Sequence, residues 1–131
     1  MKSREIIEKI KSVCSSHPEI KLAYLFGSQV SGKIGPLSDF DFAFYVEENE
    51  AKKLFDLKFA LLDEISRALG TDKIDVVILN LIESPELKYN IIKEGELILV
   101  QEPFKVLIEP KIIRGYFDFH DILIHHHLTK A

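Results

Sequence analysis

The stretch Ser38-Asp39-Phe40-Asp41-Phe42-Ala43-Phe44-Tyr45-Val46 decides the fold, because phenylalanine alternates in it with aspartate and alanine. Side chains on a β-strand point to opposite faces with a period of two. Asp39, Asp41 and Ala43 therefore share one face, and Phe40, Phe42 and Phe44 the other. The aromatic face belongs to a core. The aspartate face does not, since a carboxylate is costly to bury without a partner. The stretch predicts a strand with one face given to packing and one given to chemistry.

The neighbouring segments fit a sheet covered by helices. Ser3 to Ser16 carries Ile6, Ile10, Val13 and Cys14 at helical spacing and stops before Pro18. Ile20 to Phe26 is a short apolar run ending at Gly27, which predicts a buried strand, and Gly32, Gly35 and Pro36 mark a loop. After the aromatic strand, Asn49 to Leu69 places Leu54, Leu57, Leu61, Ile65 and Ala68 on one helical side and stops at Gly70. Lys73 to Asn80 reads as a strand that is apolar except for Asp75. Ser84 as cap, Pro85 in the first turn and Gly95 past the end define another helix, and Glu96 to Val100 a further strand. The tail predicts one last helix after Pro110, with Ile113, Tyr116, Phe117, His120 and Ile124 at helical spacing. With a short helix starting at Ser28, the order is α-β-α-β-α-β-α-β-α, an α/β domain with a small mixed sheet. Residues 1–100 read as its core and 101–131 as a C-terminal helical extension of the same domain.

Composition narrows the class. The 131 residues fit one domain, and 47% apolar with 29% charged content is that of a globular protein. No apolar run approaches the roughly 20 residues that span a bilayer, and the charged N-terminus lacks a signal-peptide core, so no membrane association and a cytoplasmic location are expected. Cys14 is the only cysteine, which excludes a disulfide framework and reads as apolar filler. A net charge of −4 without a dense basic block argues against a nucleic-acid partner. An anionic ligand would have to be held locally, by metal ions or backbone N–H groups.

The acidic residues suggest how. Asp39 and Asp41 stand roughly 7 Å apart on one strand face and can converge on a common point. Asp75 joins them if its strand lies alongside. Oxygen-only ligands suit Mg²⁺ or Mn²⁺, and three aspartates meet the needs of two-metal phosphoryl or nucleotidyl transfer. Gly27 permits a sharp turn at a strand end, and Ser28 can open a helix whose N–H groups face a phosphate. Each feature alone is more often structural, and Asp75 could simply pair with Lys73 or Arg67. Their joint order along the chain is what points to catalysis. The run His125, His126 and His127 reads as a solvated or partner-facing helix end, since consecutive helical residues diverge by about 100°. The spacing of Arg114 and His120 echoes ribonucleases of the HEPN class, but the tail is too short to be that domain.

Gly27-Ser28, ten intervening residues and Asp39-Phe40-Asp41 resemble the signature of nucleotidyltransferases with the DNA polymerase β fold, and Asp75 matches the third carboxylate of that superfamily. Within it, the segments DVVILN and SPELKYNIIKEGELILV resemble the minimal nucleotidyltransferases of the MntA antitoxin group. The resemblance covers about Ile20 to Val100, and more loosely the YFDF-containing tail. It implies Mg²⁺, as two ions with Mn²⁺ an alternative, and ATP as substrate. It also implies transfer of AMP to a tyrosine of a HepT-type HEPN ribonuclease toxin. Asp39 and Asp41 would bind the ions, and Asp75 would ligate one of them and help deprotonate the attacking hydroxyl. Gly27 and Ser28 would hold the β- and γ-phosphates, with Ser38 in the same nucleotide-binding set. Many relatives place an arginine just after Gly-Ser, whereas this chain has Gln29, Val30 and Ser31, so Lys33, the nearest cation, is expected to substitute in part. Two other functions are compatible with the residues: nucleotide transfer to a small hydroxylated molecule, and a toxin-binding module that leaves the carboxylates unused.

Overall fold

The structure is a computed structural model that describes residues 3–26 and 40–125. Its elements are α1 (Ser3–Cys14), β1 (Ile20–Phe26), β2 (Phe40–Val46), α2 (Ala51–Leu69), β3 (Ile74–Ile78), a 3₁₀ turn (Leu79–Leu81), α3 (Pro85–Glu94), β4 (Glu96–Val100) and α4 (Phe104–His125). The four strands form one sheet in the order β3-β2-β1-β4. β1 is antiparallel to both of its neighbours, whereas β2 and β3 are parallel. A parallel pair needs a crossover, which α2 supplies.

The period-of-two pattern assigns the faces. Ala23, Leu25, Phe42, Phe44, Val46, Ile74, Val76 and Ile78 pack against Ile6, Ile10 and Cys14 of α1 and Leu54, Leu61, Ile65 and Leu69 of α2. On the reverse face Leu22, Tyr24 and Ala43 are buried with Leu79 and Ile91, and Phe104 and Ile108 of α4 pack against them. The sheet is thus sandwiched between α1/α2 and α3/α4.

Local signals account for the element ends. Gly70 closes α2 in the left-handed region at φ 69°, its N–H donating to the Ser66 carbonyl. Ser84 Oγ accepts from the Leu87 N–H at the start of α3. Gly95 has an ordinary φ of −73°, so its requirement is one of space: a Cβ there would collide with the Ile91 carbonyl oxygen.

Several boundaries shift by one or two residues from the sequence expectation, and two differences have a structural cause. The third strand stops at Ile78 instead of reaching Asn80, because the chain turns into the 3₁₀ segment. The Asn80 side chain then takes over the strand's pairing, its amide donating to the Val46 carbonyl at 2.7 Å and its oxygen accepting the Val46 N–H at 3.0 Å. The last helix begins at Phe104 and carries Pro110 inside it, not ahead of it. Proline removes the donor to the carbonyl four residues back. That residue is Val106, 68% exposed, where water can replace the missing bond. The short helix expected at Ser28 falls outside the described residues. Among the described residues no helix is long and apolar enough to cross a membrane.

Candidate active site

The site is built where β1 ends and where β2 and β3 begin. Because Phe40, Phe42 and Phe44 face the α1/α2 core, Asp41 lies on the α3/α4 face together with Ala43 and Tyr45. The same alternation in β3 buries Ile74, Val76 and Ile78 and places Asp75 and Val77 opposite. The parallel register aligns Asp41 with Asp75 and Phe42 with Val76. On its other side Asp41 is aligned with Phe26. Neighbouring strands run about 4.8 Å apart, so the two carboxylates leave one face at adjacent positions.

Asp41 is half-buried and Asp75 exposed. One Asp75 oxygen accepts the Val76 N–H at 2.9 Å, which fixes the side chain against its own strand. The donor set is oxygen only, which suits a hard divalent cation. Asp41 and Asp75 make two such donors, and among the described residues no three acidic, histidine or cysteine side chains gather into a metal site. Asp39, together with Gly27, Ser28, Lys33 and Ser38, lies outside the described residues.

Two supports around the site were not singled out from the sequence. Tyr24, two residues before Phe26 and on the same face, donates its hydroxyl to Glu109 Oε2 of α4 at 2.6 Å. Glu109 also pairs with Lys105 at 3.5 Å. Burial first, then the hydrogen bond to Glu109 and its negative charge, push the Tyr24 hydroxyl far above the usual tyrosine range. It therefore stays a donor, and it ties α4 to the strand that leads into the site. A tyrosine inside an apolar strand was the available signal, because a buried hydroxyl needs a partner. The Asn80 clamp holds β2 and β3 together at their far end and keeps their register. At that end of the same face lies a cavity of about 190 Å³, lined by Tyr45, Leu79, Ile108, Lys88 and Lys111 among others. Of the histidine run, His125 is described, with its Nδ1 3.0 Å from the Asp121 carbonyl oxygen.

A mixed four-stranded sheet with paired acidic positions at one end of a parallel strand pair fits a nucleotidyl-transfer fold. Residues 8–103 match the family "Polymerase beta, Nucleotidyltransferase", and the chain belongs to that family. A comparison with curated proteins found no significant match. Among solved structures, the fold is similar to that of a chain from the MntA-HepT toxin-antitoxin complex, with 21% identity and a TM-score of 0.70 over 97% of this chain and 100% of that one. It is similar to a chain of a toxin-antitoxin structure with AMP-PNP, at 22% identity and a TM-score of 0.72 over 94% of this chain and 98% of that one. A third similar chain comes from a tri-AMPylated Shewanella oneidensis HEPN toxin in complex with MNT antitoxin, at 20% identity and a TM-score of 0.70, covering 98% of this chain and 100% of that one. At these identities the shared property is the fold.

Proposed function

We propose that this protein is a Mg²⁺-dependent protein adenylyltransferase acting as an antitoxin: it transfers AMP from ATP to a tyrosine of a HepT-like HEPN ribonuclease toxin in the cytoplasm. The observation that carries the reading is the in-register placement of Asp41 and Asp75 on one face of adjacent parallel strands. It is supported by family membership and by solved structures of similar fold that hold a HEPN toxin, AMP-PNP or an AMPylated toxin.

In this reading Asp39, Asp41 and Asp75 hold two divalent ions, Mg²⁺ or Mn²⁺. When bound, those ions neutralise the triphosphate and favour charge build-up on the transferred phosphoryl group. Backbone N–H groups at Gly27 and Ser28, assisted by Lys33 and Ser38, hold the β- and γ-phosphates. Asp75 accepts the proton of the tyrosine hydroxyl. A bond forms between that oxygen and the α-phosphorus, the bond from the α-phosphorus to the bridging oxygen breaks, and pyrophosphate leaves with the electron pair. The Tyr24–Glu109 pair keeps α4 fixed to β1 while the strand ends stay rigid.

The test uses ATP labelled at the α-phosphate, Mg²⁺ and a HepT-type partner, with mass spectrometry locating the label. Label on a partner tyrosine is expected. Asp41→Asn and Asp75→Asn should each lower its rate by on the order of 10²-fold or more, since an ion at such a centre contributes several kcal/mol. Label appearing on a small hydroxylated acceptor, or toxin silencing by the Asp39→Asn, Asp41→Asn double variant, would replace this reading. For the phosphate cradle, Lys33→Ala should raise the ATP dissociation constant in calorimetry.

A further inference from the structure

The α4 helix presents more apolar surface than the fold uses. Its packed side, which includes Phe104, Ile108, Ile112 and Tyr116, lies on the sheet and on α3. Beside that packed side runs a second stripe made of Val106, Pro110, Ile113, Phe117, His120 and Ile124. Their spacings alternate between four and three residues, which is the a/d seam of a heptad repeat. At 100° per residue they fall within a stripe about 80° wide. Val106 is 68% exposed, Ile113 39%, Phe117 55% and Ile124 44%. A seam of this period suits a second helix, because knobs at these positions fit between the side chains of a helix laid alongside.

Charge at the seam's margin selects the occupant. Arg114 and Asp121 lie seven residues apart on one flank of the stripe, one heptad from each other. Among the described residues neither makes an ion pair. In an antiparallel pair of identical helices, like flanks face each other across a two-fold axis. Placing the axis between residues 117 and 120 sets Arg114 against Asp121 of the second copy, and the symmetry repeats the contact. The same register sets Ile113 against Ile124 and Phe117 against His120 of the second copy.

We propose that this face of α4 is a self-association surface, through which two copies of the chain pair antiparallel helix to helix. The inference is independent of the proposed activity. Sedimentation velocity from micromolar to submillimolar concentration tests it, with circular dichroism confirming that each variant is folded. The expected result is a concentration-dependent species of twice the 15.0 kDa chain mass. Arg114→Asp and Asp121→Arg should each weaken association by about tenfold, as two attractive contacts become repulsive, and the double variant should restore it. Phe117→Ala should leave a folded monomer. A wild-type chain that stays monomeric throughout overturns the proposal. So does a dimer indifferent to these variants, or a double variant as weak as the singles.

Discussion

On the α1/α2 face, the strands present aliphatic and aromatic side chains along their length and two helices cover them. Phe42, Phe44, Ile20 and Val76 there show no exposure. On the α3/α4 face, the same strands present Asp41 and Asp75 at one end, Tyr24 hydrogen-bonded to Glu109 in the middle, and a half-buried Tyr45 at the other end. One sheet is therefore apolar along the whole of one face, while the other combines a smaller buried cluster with a pair of acidic positions at one end. The contrast teaches that a candidate site needs no separate domain, because the pleat alone puts acidic and core side chains of one strand on opposite faces. The sharpest way to break the comparison is to truncate one residue on each face. Phe42→Ala should lower unfolding free energy by about 3–5 kcal/mol in urea titrations, as expected for a fully buried phenylalanine. Tyr45→Ala on the other face should cost less than half as much, and equal losses would show the two faces to be equally packed.

The connection from α3 into β4 comes next in expected effect. At Gly95 an added methyl meets backbone, not a movable side chain, so Gly95→Ala should cost about 1–3 kcal/mol. At Gly70 nothing lies within 4 Å of the added carbon, and Gly70→Ala should cost only the left-handed backbone strain, about 1–2 kcal/mol. Chemical denaturation of the two variants separates crowding from strain.

Each face also buries one weak acid, and alkaline titration tells them apart. Burial, reinforced by Glu64, pushes the Cys14 thiol from its ordinary 9.0 up to about 12. The Tyr24 hydroxyl is raised from 10.0 by burial and by Glu109. Below pH 9 both groups keep their protons in the folded and unfolded chains, so their contribution to stability is fully present. Above pH 9 the unfolded chain loses the Cys14 proton while the native state keeps it, and stability should fall by about 1.4 kcal/mol per pH unit. Above pH 10 Tyr24 adds a similar slope. Tyr24→Phe should remove that second component, and lose about 1.5 kcal/mol or more at neutral pH with the hydrogen bond to a charged acceptor. Unfolding curves collected from pH 7 to 11 give both slopes.

Much of this was legible in the sequence for local reasons. The alternation in Phe40 to Val46 gives both the strand and its faces, and Ser84-Pro85 announces α3 by cap chemistry that needs no tertiary context. What the sequence could not supply was partnership across the chain. The alignment of Asp41 with Asp75 depends on β3 pairing beside β2, which the sequence reading could state only as a condition. The Tyr24–Glu109 bond joins residues 85 positions apart, so no window of sequence contains it. Pro110 misled for the converse reason. A local rule against proline in helices was overridden once α4 had Ile108 and Ile112 to anchor it on both sides.

The smallest stability effect belongs to the residue with one of the largest expected effects on activity. Asp75 is exposed, and its backbone is paired in register with that of Asp41 on the neighbouring strand. Like charges at adjacent strand positions repel, so Asp75→Asn relieves a repulsion while its amide oxygen can still accept the Val76 N–H. Unfolding free energy should therefore stay within about 0.5 kcal/mol of wild type or rise slightly. The same variant should abolish most nucleotidyl transfer. A stability loss near that of Phe42→Ala would instead make Asp75 a structural residue of the sheet, and the division between a packed face and a chemical face would fail at the position where it matters most.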